Sequence, residues 1–253
     1  MKALKAPGEI GYPSGFFQKT WDVSQNLLDS AIQQCFSLRH ILPSWNKTLI
    51  CLVPKVPNAA SLNLLRPIGL CNTIYKILSK ISLISSLISP NQGAFIKGRT
   101  SSDNFMVAQQ IIHNMKKGKG DWMTLKLDLE KAYDHIRWDF IEEFLKRYNF
   151  PSKLINLIMQ CVTSVSYSII FKRRKTESFT PKRCLRQDDP LSPNLFILAM
   201  DYLAKKFNHQ ALEKNWWPFK VSKGPTISHL VADDILLLAK TSLGTIHSIN
   251  STL

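Results

Sequence analysis

Apolar and polar positions recur along this chain at two spacings, and each spacing predicts an element. From Val23 to Phe36, the residues Leu27, Leu28, Ala31, Ile32 and Cys35 fall on one side of a predicted helix. Thr48-Leu-Ile-Cys-Leu-Val53 is a predicted strand that runs into Pro54-Lys55, and the tract Val56 to Asn63, with Pro57 and Asn58 as turn formers, predicts a loop. Ser102 or Asp103 can cap a helix whose apolar positions are Phe105, Ala108, Ile112 and Met115. The basic run Lys116-Lys-Gly-Lys-Gly120 ends that helix and predicts a junction between subdomains. Met123 to Leu129 alternates as a strand does. Ile141, Phe144, Leu145 and Tyr148 then mark an amphipathic helix, and Pro151-Ser152 starts another. Tyr167 to Phe171 predicts a strand running into Lys172-Arg-Arg-Lys175. Ser192-Pro193 is a cap followed by proline at the first helical position, and Phe196, Met200, Leu203 and Phe207 share the face that follows. Ile227 to Ala239 predicts a hairpin with Asp233-Asp234 at or beside its turn. Helices and short strands mixed in this way predict an α+β or α/β fold.

Composition narrows the class. The 253 residues are 45% apolar and 20% charged, which is a globular balance. Lys and Arg outnumber Asp and Glu by 33 to 18, for a net charge of +15. That excess favours a nucleic acid or an anionic surface as partner, although charge also serves solubility alone. The membrane alternative is weak: the apolar stretch Ile81 to Ile88 is broken by serines and falls short of the ~20 residues that a span needs. Met1 to Gly8 has no apolar core of the signal-peptide kind. Five cysteines, never paired at two-residue spacing, argue against zinc and a disulfide scaffold and for a reducing compartment. The expected location is intracellular, in nucleus or cytoplasm.

Two acidic motifs stand out in so basic a chain. Asp128 sits in the alternating strand, and the pair Asp233-Asp234 lies between Leu230-Val-Ala232 and Ile235-Leu-Leu-Leu238. Phosphoryl transfer by two metal ions needs carboxylates on rigid elements that hold the ions ~3.5–4 Å apart. Neighbouring strands lie ~4.8 Å apart, so one Asp on a strand and two on an adjacent hairpin have the right scale. Mg²⁺ suits such a site because it takes few protein ligands and fills its shell with phosphate and water. The plainer reading is that Asp-Asp between apolar runs is a turn. Asp128 is harder to set aside, since a carboxylate in an alternating strand is costly to bury without a partner. Periodicity alone yields an acidic site with no stated use.

The local sequences say more. Leu125-Lys-Leu-Asp128-Leu-Glu-Lys-Ala-Tyr133-Asp134, Arg186-Gln-Asp-Asp-Pro-Leu-Ser-Pro193 and Val231-Ala-Asp-Asp234 occur in that order. They resemble the three central palm motifs of reverse transcriptases from plant non-LTR (LINE-type) retrotransposons. Leu52-Val-Pro-Lys55, Leu65-Arg-Pro-Ile-Gly-Leu-Cys-Asn-Thr-Ile-Tyr-Lys-Ile77 and Ser89-Pro-Asn-Gln-Gly-Ala-Phe-Ile-Lys-Gly-Arg99 resemble that family's fingers motifs, and Lys5-Ala-Pro-Gly8 with Phe16-Phe17 resembles the start of the domain. The resemblance implies a right-hand polymerase of α+β class. Residues 1–120 would form the fingers region and 121–253 the palm region, an antiparallel sheet backed by helices. It further implies RNA-directed DNA synthesis with dNTPs, an RNA template, a DNA primer and Mg²⁺, with Mn²⁺ as a substitute.

Residue by residue, the resemblance makes Asp128 and Asp233 the principal metal ligands and Asp234 a third carboxylate, with the Leu129 carbonyl completing one shell. Tyr133 falls where an aromatic crowds the 2′-position of the incoming sugar, the plain alternative being a buried tyrosine. Lys55 and Arg66 match residues that grip the triphosphate. Gln187 matches a nucleotide contact, and Arg186 is expected to support it and to meet nucleic acid. Arg99 is expected on template phosphate, and Lys172 and Arg173 along the nucleic-acid backbone.

Several positions depart from the family. Asp188 and Cys184 stand where it has glycine, Glu9-Ile10 replaces a Pro-Asp, and Ser79 to Ser89 is shorter than its counterpart. A carboxylate ~4 Å from a phosphate repels it by roughly 1 kcal/mol in water and ~4 at an effective dielectric of 20. The chain ends at Leu253, soon after the second acidic motif, and the thumb is expected to be absent. Two further readings stand beside the polymerase: an inactive remnant that at most binds nucleic acid, and a chain that does not fold stably.

Overall fold

The strand expected at Thr48–Val53 is present as Lys47–Pro54 and runs through the larger sheet of the chain. The computed structural model describes residues 1–80, 101–117, 120–127, 131–171, 174–213, 219–220, 226–227, 229–231 and 235–252. In chain order the elements begin with helices α1 (Ser14–Lys19) and α2 (Trp21–Leu38), strands β1 (Lys47–Pro54) and β2 (Leu65–Cys71), and helix α3 (Thr73–Leu78). Helix α4 (Ser101–Lys117), strand β3 (Trp122–Leu127) and helices α5 (Ala132–His135), α6 (Trp138–Arg147) and α7 (Ser152–Thr163) follow. Next come β4 (Ser166–Phe171), β5 (Arg174–Lys175) and α8 (Ser192–Leu212). Short strands β6 (Phe219–Lys220), β7 (Thr226–Ile227) and β8 (His229–Val231) lead to β9 (Ile235–Lys240) and α9 (Leu243–Thr252). The class is mixed α+β.

Two units interleave along the chain. The first takes Met1–Ile81 and Lys131–Pro193; the second takes Ser82–Glu130 and Asn194–Leu253. Lys116–Gly120 thus falls within the second of these units. The physical reason is strand pairing: β3 finds its partner in β9, while β4 pairs with β1.

In the first unit the strand order is β2-β1-β4-β5. Strands β1 and β2 are antiparallel, from Thr48↔Cys71 to Pro54↔Leu65, and β1 runs parallel to β4, from Lys47↔Ser166 to Cys51↔Ile170. Pro67 is tolerated because β2 is an edge strand, where a missing N–H breaks no ladder. Helix α6 buries Ile141, Phe144 and Leu145 of the four predicted residues completely, and Tyr148, at its C-cap, is half-buried. It ends at Asn149, whose φ of 55° suits asparagine's tolerance of the left-handed region, and Ser152 then opens α7. The N-terminal segment docks on the end of β2. A Cβ on Gly8 would lie 2.5 Å from the Asn72 amide nitrogen, so glycine is required there. Asn72 binds the segment in turn, accepting from the Ile10 amide at 2.9 Å and donating to the carbonyls of Ser44, Trp45 and Lys47. Helix α2 departs from the pattern reading in one respect: Leu28 and Cys35 face inward, but Leu27 is 73% exposed.

In the second unit β3, β9 and β8 form an antiparallel sheet in that order. Helix α4 lays Ile111 and Met115 against Leu238, with Ala108, Trp122 and Leu236 around them. Ile111 takes the inward place expected of Ile112, a one-residue rotation of the face, and the Phe105 side chain lies outside the described residues. On α8, Phe196, Met200 and Phe207 are buried as the spacing predicts. No helix among the described residues is long and apolar enough to cross a membrane.

Candidate functional site

The acidic motifs flank described strand ends of the second unit. Asp128, Leu129, Asp233 and Asp234 themselves lie outside the described residues, as do Arg99, Lys172 and Arg173. The strands that lead to them are in register. Leu127, the last residue of β3, pairs with Ile235, the first of β9, and Ile235 also pairs with Val231, the last of β8. Three strand ends thus meet at one end of one sheet, at neighbour spacings of about 4.8 Å. The hairpin expected around residues 227–239 is present as β8 and β9.

The first unit holds the other predicted contacts. Lys55 and Arg66 are exposed at the loop-closed end of the β1–β2 pair, where the Lys55 amide donates to the Leu64 carbonyl and Lys55 Nζ donates to the Asn63 carbonyl at 3.0 Å. Tyr133 is half-buried, which pushes its phenol above the ordinary range, and its carbonyl accepts from the Leu185 amide at 2.7 Å. The Gln187 carbonyl accepts from the Gly69 amide at 3.2 Å. A cavity of about 100 Å³ is lined by Pro67, Asp134, Tyr167, Cys184 and Gln187, among others. The strand next to Arg66, the residue after Tyr133 and Gln187 itself therefore border one small space.

Arg186 does not face a polyanion. It is 6% exposed, and its guanidinium holds the fold from within. Nη1 donates to Thr48 Oγ1 at 2.6 Å and to Cys71 Sγ at 3.4 Å; Nη2 donates to Asn46 Oδ1 at 2.7 Å and to the Cys161 carbonyl at 3.3 Å. Nε makes no hydrogen bond but sits 3.3 Å from Asp189 Oδ2 as an ion pair. The ring of Tyr75 lies 4.3 Å from the guanidinium carbon, and the Tyr75 hydroxyl donates to Asp189 Oδ2 at 2.7 Å. Burial works against the charge on Arg186, but the surrounding Tyr75, Cys71 and Asp189 raise its pKa well above the ordinary arginine value. The Arg186 guanidinium is thus a buried anchor of the first unit, with both Nη groups hydrogen-bonded to these partners and Nε held against Asp189.

Asp189, Tyr75 and Asn46 complete this arrangement and were not singled out by sequence reasoning. The available signal was the opposite charge three residues after Arg186, inside the same motif. The two positions where family glycines are replaced both have positive φ, 99° at Cys184 and 65° at Asp188. Asp188 sits near the centre of the left-handed region, which Asp visits with modest strain; Cys184 lies well beyond it.

The chain matches the family model described as "Reverse transcriptase (RNA-dependent DNA polymerase)" over residues 53–252. It is 25% identical over 246 residues to the "Transposon TX1 uncharacterized 149 kDa protein" of Xenopus laevis, covering 93% of this chain and 18% of that protein. It is 26% identical over 196 residues to the "Retrovirus-related Pol polyprotein from type-2 retrotransposable element R2DM" of Drosophila melanogaster, covering 76% of this chain and 18% of that protein. The chain spans about a fifth of the length of these relatives. Among solved structures it resembles apo telomerase from Candida tropicalis truncated from its C-terminal domain, with a TM-score of 0.51 at 13% identity, over 84% of this chain and 47% of that one. That likeness concerns the fold.

Two stability outcomes follow from the geometry. Cys184→Gly removes a side chain from a strained backbone and leaves the Cys184 carbonyl, which accepts from Trp138 Nε1 at 2.9 Å, in place; thermal melting should show a gain of about 1 kcal/mol. Burial holds the Cys161 thiol up at about 12 from 9.0, and pushes Cys71 and Tyr75 up as well. Each group keeps its proton longer when folded, so its stabilisation is complete below the unfolded pKa and is lost as pH rises from there through the folded value. Cys161 alone should cost about 1 kcal/mol by pH 10, read as a falling melting temperature between pH 8 and 11 that Cys161→Ala makes shallower.

Proposed function

The chain belongs to the reverse transcriptase (RNA-dependent DNA polymerase) family, and from that premise we propose that it is the polymerase core of a plant LINE-type, non-LTR retrotransposon protein. It would extend a DNA primer on an RNA template with dNTPs, in the right-hand arrangement of fingers and palm, with the second unit's antiparallel sheet as palm. The observation that supports this reading is the register of Leu127 and Val231 with Ile235: Asp128 follows Leu127 in sequence, and Asp233-Asp234 fall between Val231 and Ile235.

On this reading Asp128 and Asp233 hold two Mg²⁺ or Mn²⁺ ions, with Asp234 and the Leu129 carbonyl in support. Carboxylates from separate strand ends, at strand spacing, suit hard oxygen-seeking cations of this size. Held by these residues, such ions would lower the pKa of the primer 3′-hydroxyl and offset charge on the triphosphate and leaving pyrophosphate. Lys55 contributes a point charge and Arg66 a forked one to the triphosphate, both from the exposed end of the β1–β2 pair. Tyr133 crowds a ribose 2′-hydroxyl and so favours deoxynucleotides, and Gln187 contacts the nucleotide. Arg99, Lys172 and Arg173 track phosphates, which makes binding weaken steeply with salt.

Asp188 favours a second reading, in which the chain binds nucleic acid and does not polymerise. Its carboxylate replaces a glycine next to Gln187, on an exposed loop, where a polyanion would approach. Primer extension on an RNA template separates the two. Asp128→Asn should lower extension by roughly 1000-fold, while Asp188→Gly should raise it several-fold to ~1000-fold by removing the repulsion. Salt-sensitive RNA binding with no extension, even by Asp188→Gly, establishes the second reading.

A further inference from the structure

Opposite charges three residues apart, in Arg186-Gln-Asp-Asp189, enclose two residues of a different kind. Arg186 and Asp189 are buried at 6% and 5% exposure, whereas Gln187 is half-buried and Asp188 exposed. The buried ends are each held on separate elements. Arg186 is bonded to Asn46 and Thr48 at the start of β1, to Cys71 at the end of β2 and to the Cys161 carbonyl on α7. Asp189 accepts from Tyr75 on α3 through Oδ2 and from the Leu191 amide through Oδ1, at 2.7 and 2.9 Å.

Between two anchored ends, a two-residue span has little freedom. Its path is fixed further where the Gln187 carbonyl meets the Gly69 amide at 3.2 Å. A Cβ on Gly69 would stand 2.8 Å from that carbonyl, so β2 receives the loop only because residue 69 has no side chain. Gln187 is consequently presented beside Pro67, at the rim of the cavity that Asp134 and Tyr167 also line.

We propose that Arg186 and Asp189 are positioning residues for Gln187: their buried pairing, closed by Tyr75, sets where the Gln187 side chain meets an incoming nucleotide. This rests on the nucleotide-contact reading of Gln187. Neither residue touches substrate. The pair exchanges water for fixed partners and so holds the loop in the binding geometry before a nucleotide arrives.

The test uses the full chain with a dideoxy-terminated DNA primer on an RNA template, and measures equilibrium binding of the matched dNTP with Mg²⁺. Arg186→Lys keeps the charge but loses the fork, Asp189→Asn keeps the shape but loses the charge, and Tyr75→Phe removes one hydroxyl. Each is milder than truncation to alanine, and thermal melting identifies the folded variants. Arg186→Lys and Asp189→Asn should raise the dNTP Kd roughly tenfold to a hundredfold, as Gln187→Ala does, with Tyr75→Phe smaller. The double variant Arg186→Lys/Gln187→Ala should bind no worse than Gln187→Ala, because nothing remains to be positioned. Additive losses in the double variant overturn the proposal, as does an unchanged Kd in folded Arg186→Lys; the polymerase reading survives both. Amide hydrogen exchange at Gly69 is the second readout and should quicken at least tenfold in Arg186→Lys while α6 and α7 keep their protection. If the unmodified chain takes no dNTP, the functional reading fails and exchange alone decides: faster exchange at Gly69 retains the pair's hold on the loop, and unchanged exchange overturns it.

Discussion

A guanidinium removed from water must recover inside the protein the hydrogen bonds that water gave it, and in this chain the first unit is arranged around that requirement. Arg186 finds acceptors at one end of the β1–β2 pair and on α7, and an aromatic face on α3. None of those elements is near it in sequence. Breaking one partner leaves a buried charge uncompensated, which costs about 3–5 kcal/mol, whereas an apolar replacement of the whole set would sacrifice little stability. The arrangement is therefore better understood as fixing one geometry than as supplying net stability. The geometry it fixes is that of the loop carrying Gln187 and Asp188.

The same loop shows why the two positions where the resemblance leads one to expect glycine differ in consequence. At Cys184 the strain is conformational, because a φ of 99° lies outside the region where a side chain is accommodated. At Asp188 the backbone is near the favoured left-handed angle, so the departure acts chiefly through charge. One substitution bears on stability and the other on what approaches the surface.

Much of the fold was legible in the sequence where burial is one-sided. Ile141, Phe144 and Leu145 on α6, and Phe196, Met200 and Phe207 on α8, fall inward as helical spacing requires, because a stripe of apolar side chains has one energetically sensible direction. Leu27 and Ile111 show the limit: adjacent apolar residues on a helix leave the face ambiguous by one position, and packing partners decide it. The interleaving of the units was not legible, since strand pairing between distant segments leaves no local periodicity. The burial of Arg186 was not legible for a related reason. A charged residue beside a nucleotide-contact motif reads as a ligand contact unless its partners are known, and Asn46, Thr48 and Tyr75 come from far along the chain. The acidic residues were visible as motifs, and the structure adds the register of the strands that precede and follow them in sequence.

The parallel pairing of β1 with β4 has a consequence for biogenesis. Lys47 is synthesised about 120 residues before its partner Ser166, a delay of roughly 6 to 24 s at ordinary elongation rates. Throughout that interval a nascent chain on the ribosome carries β1 and β2 with one sheet edge unmatched and the seat of a guanidinium empty. An edge left open for seconds is a template for pairing with other chains. The edge of β1 that β4 covers is thus the part of this sheet most open to mispairing during synthesis.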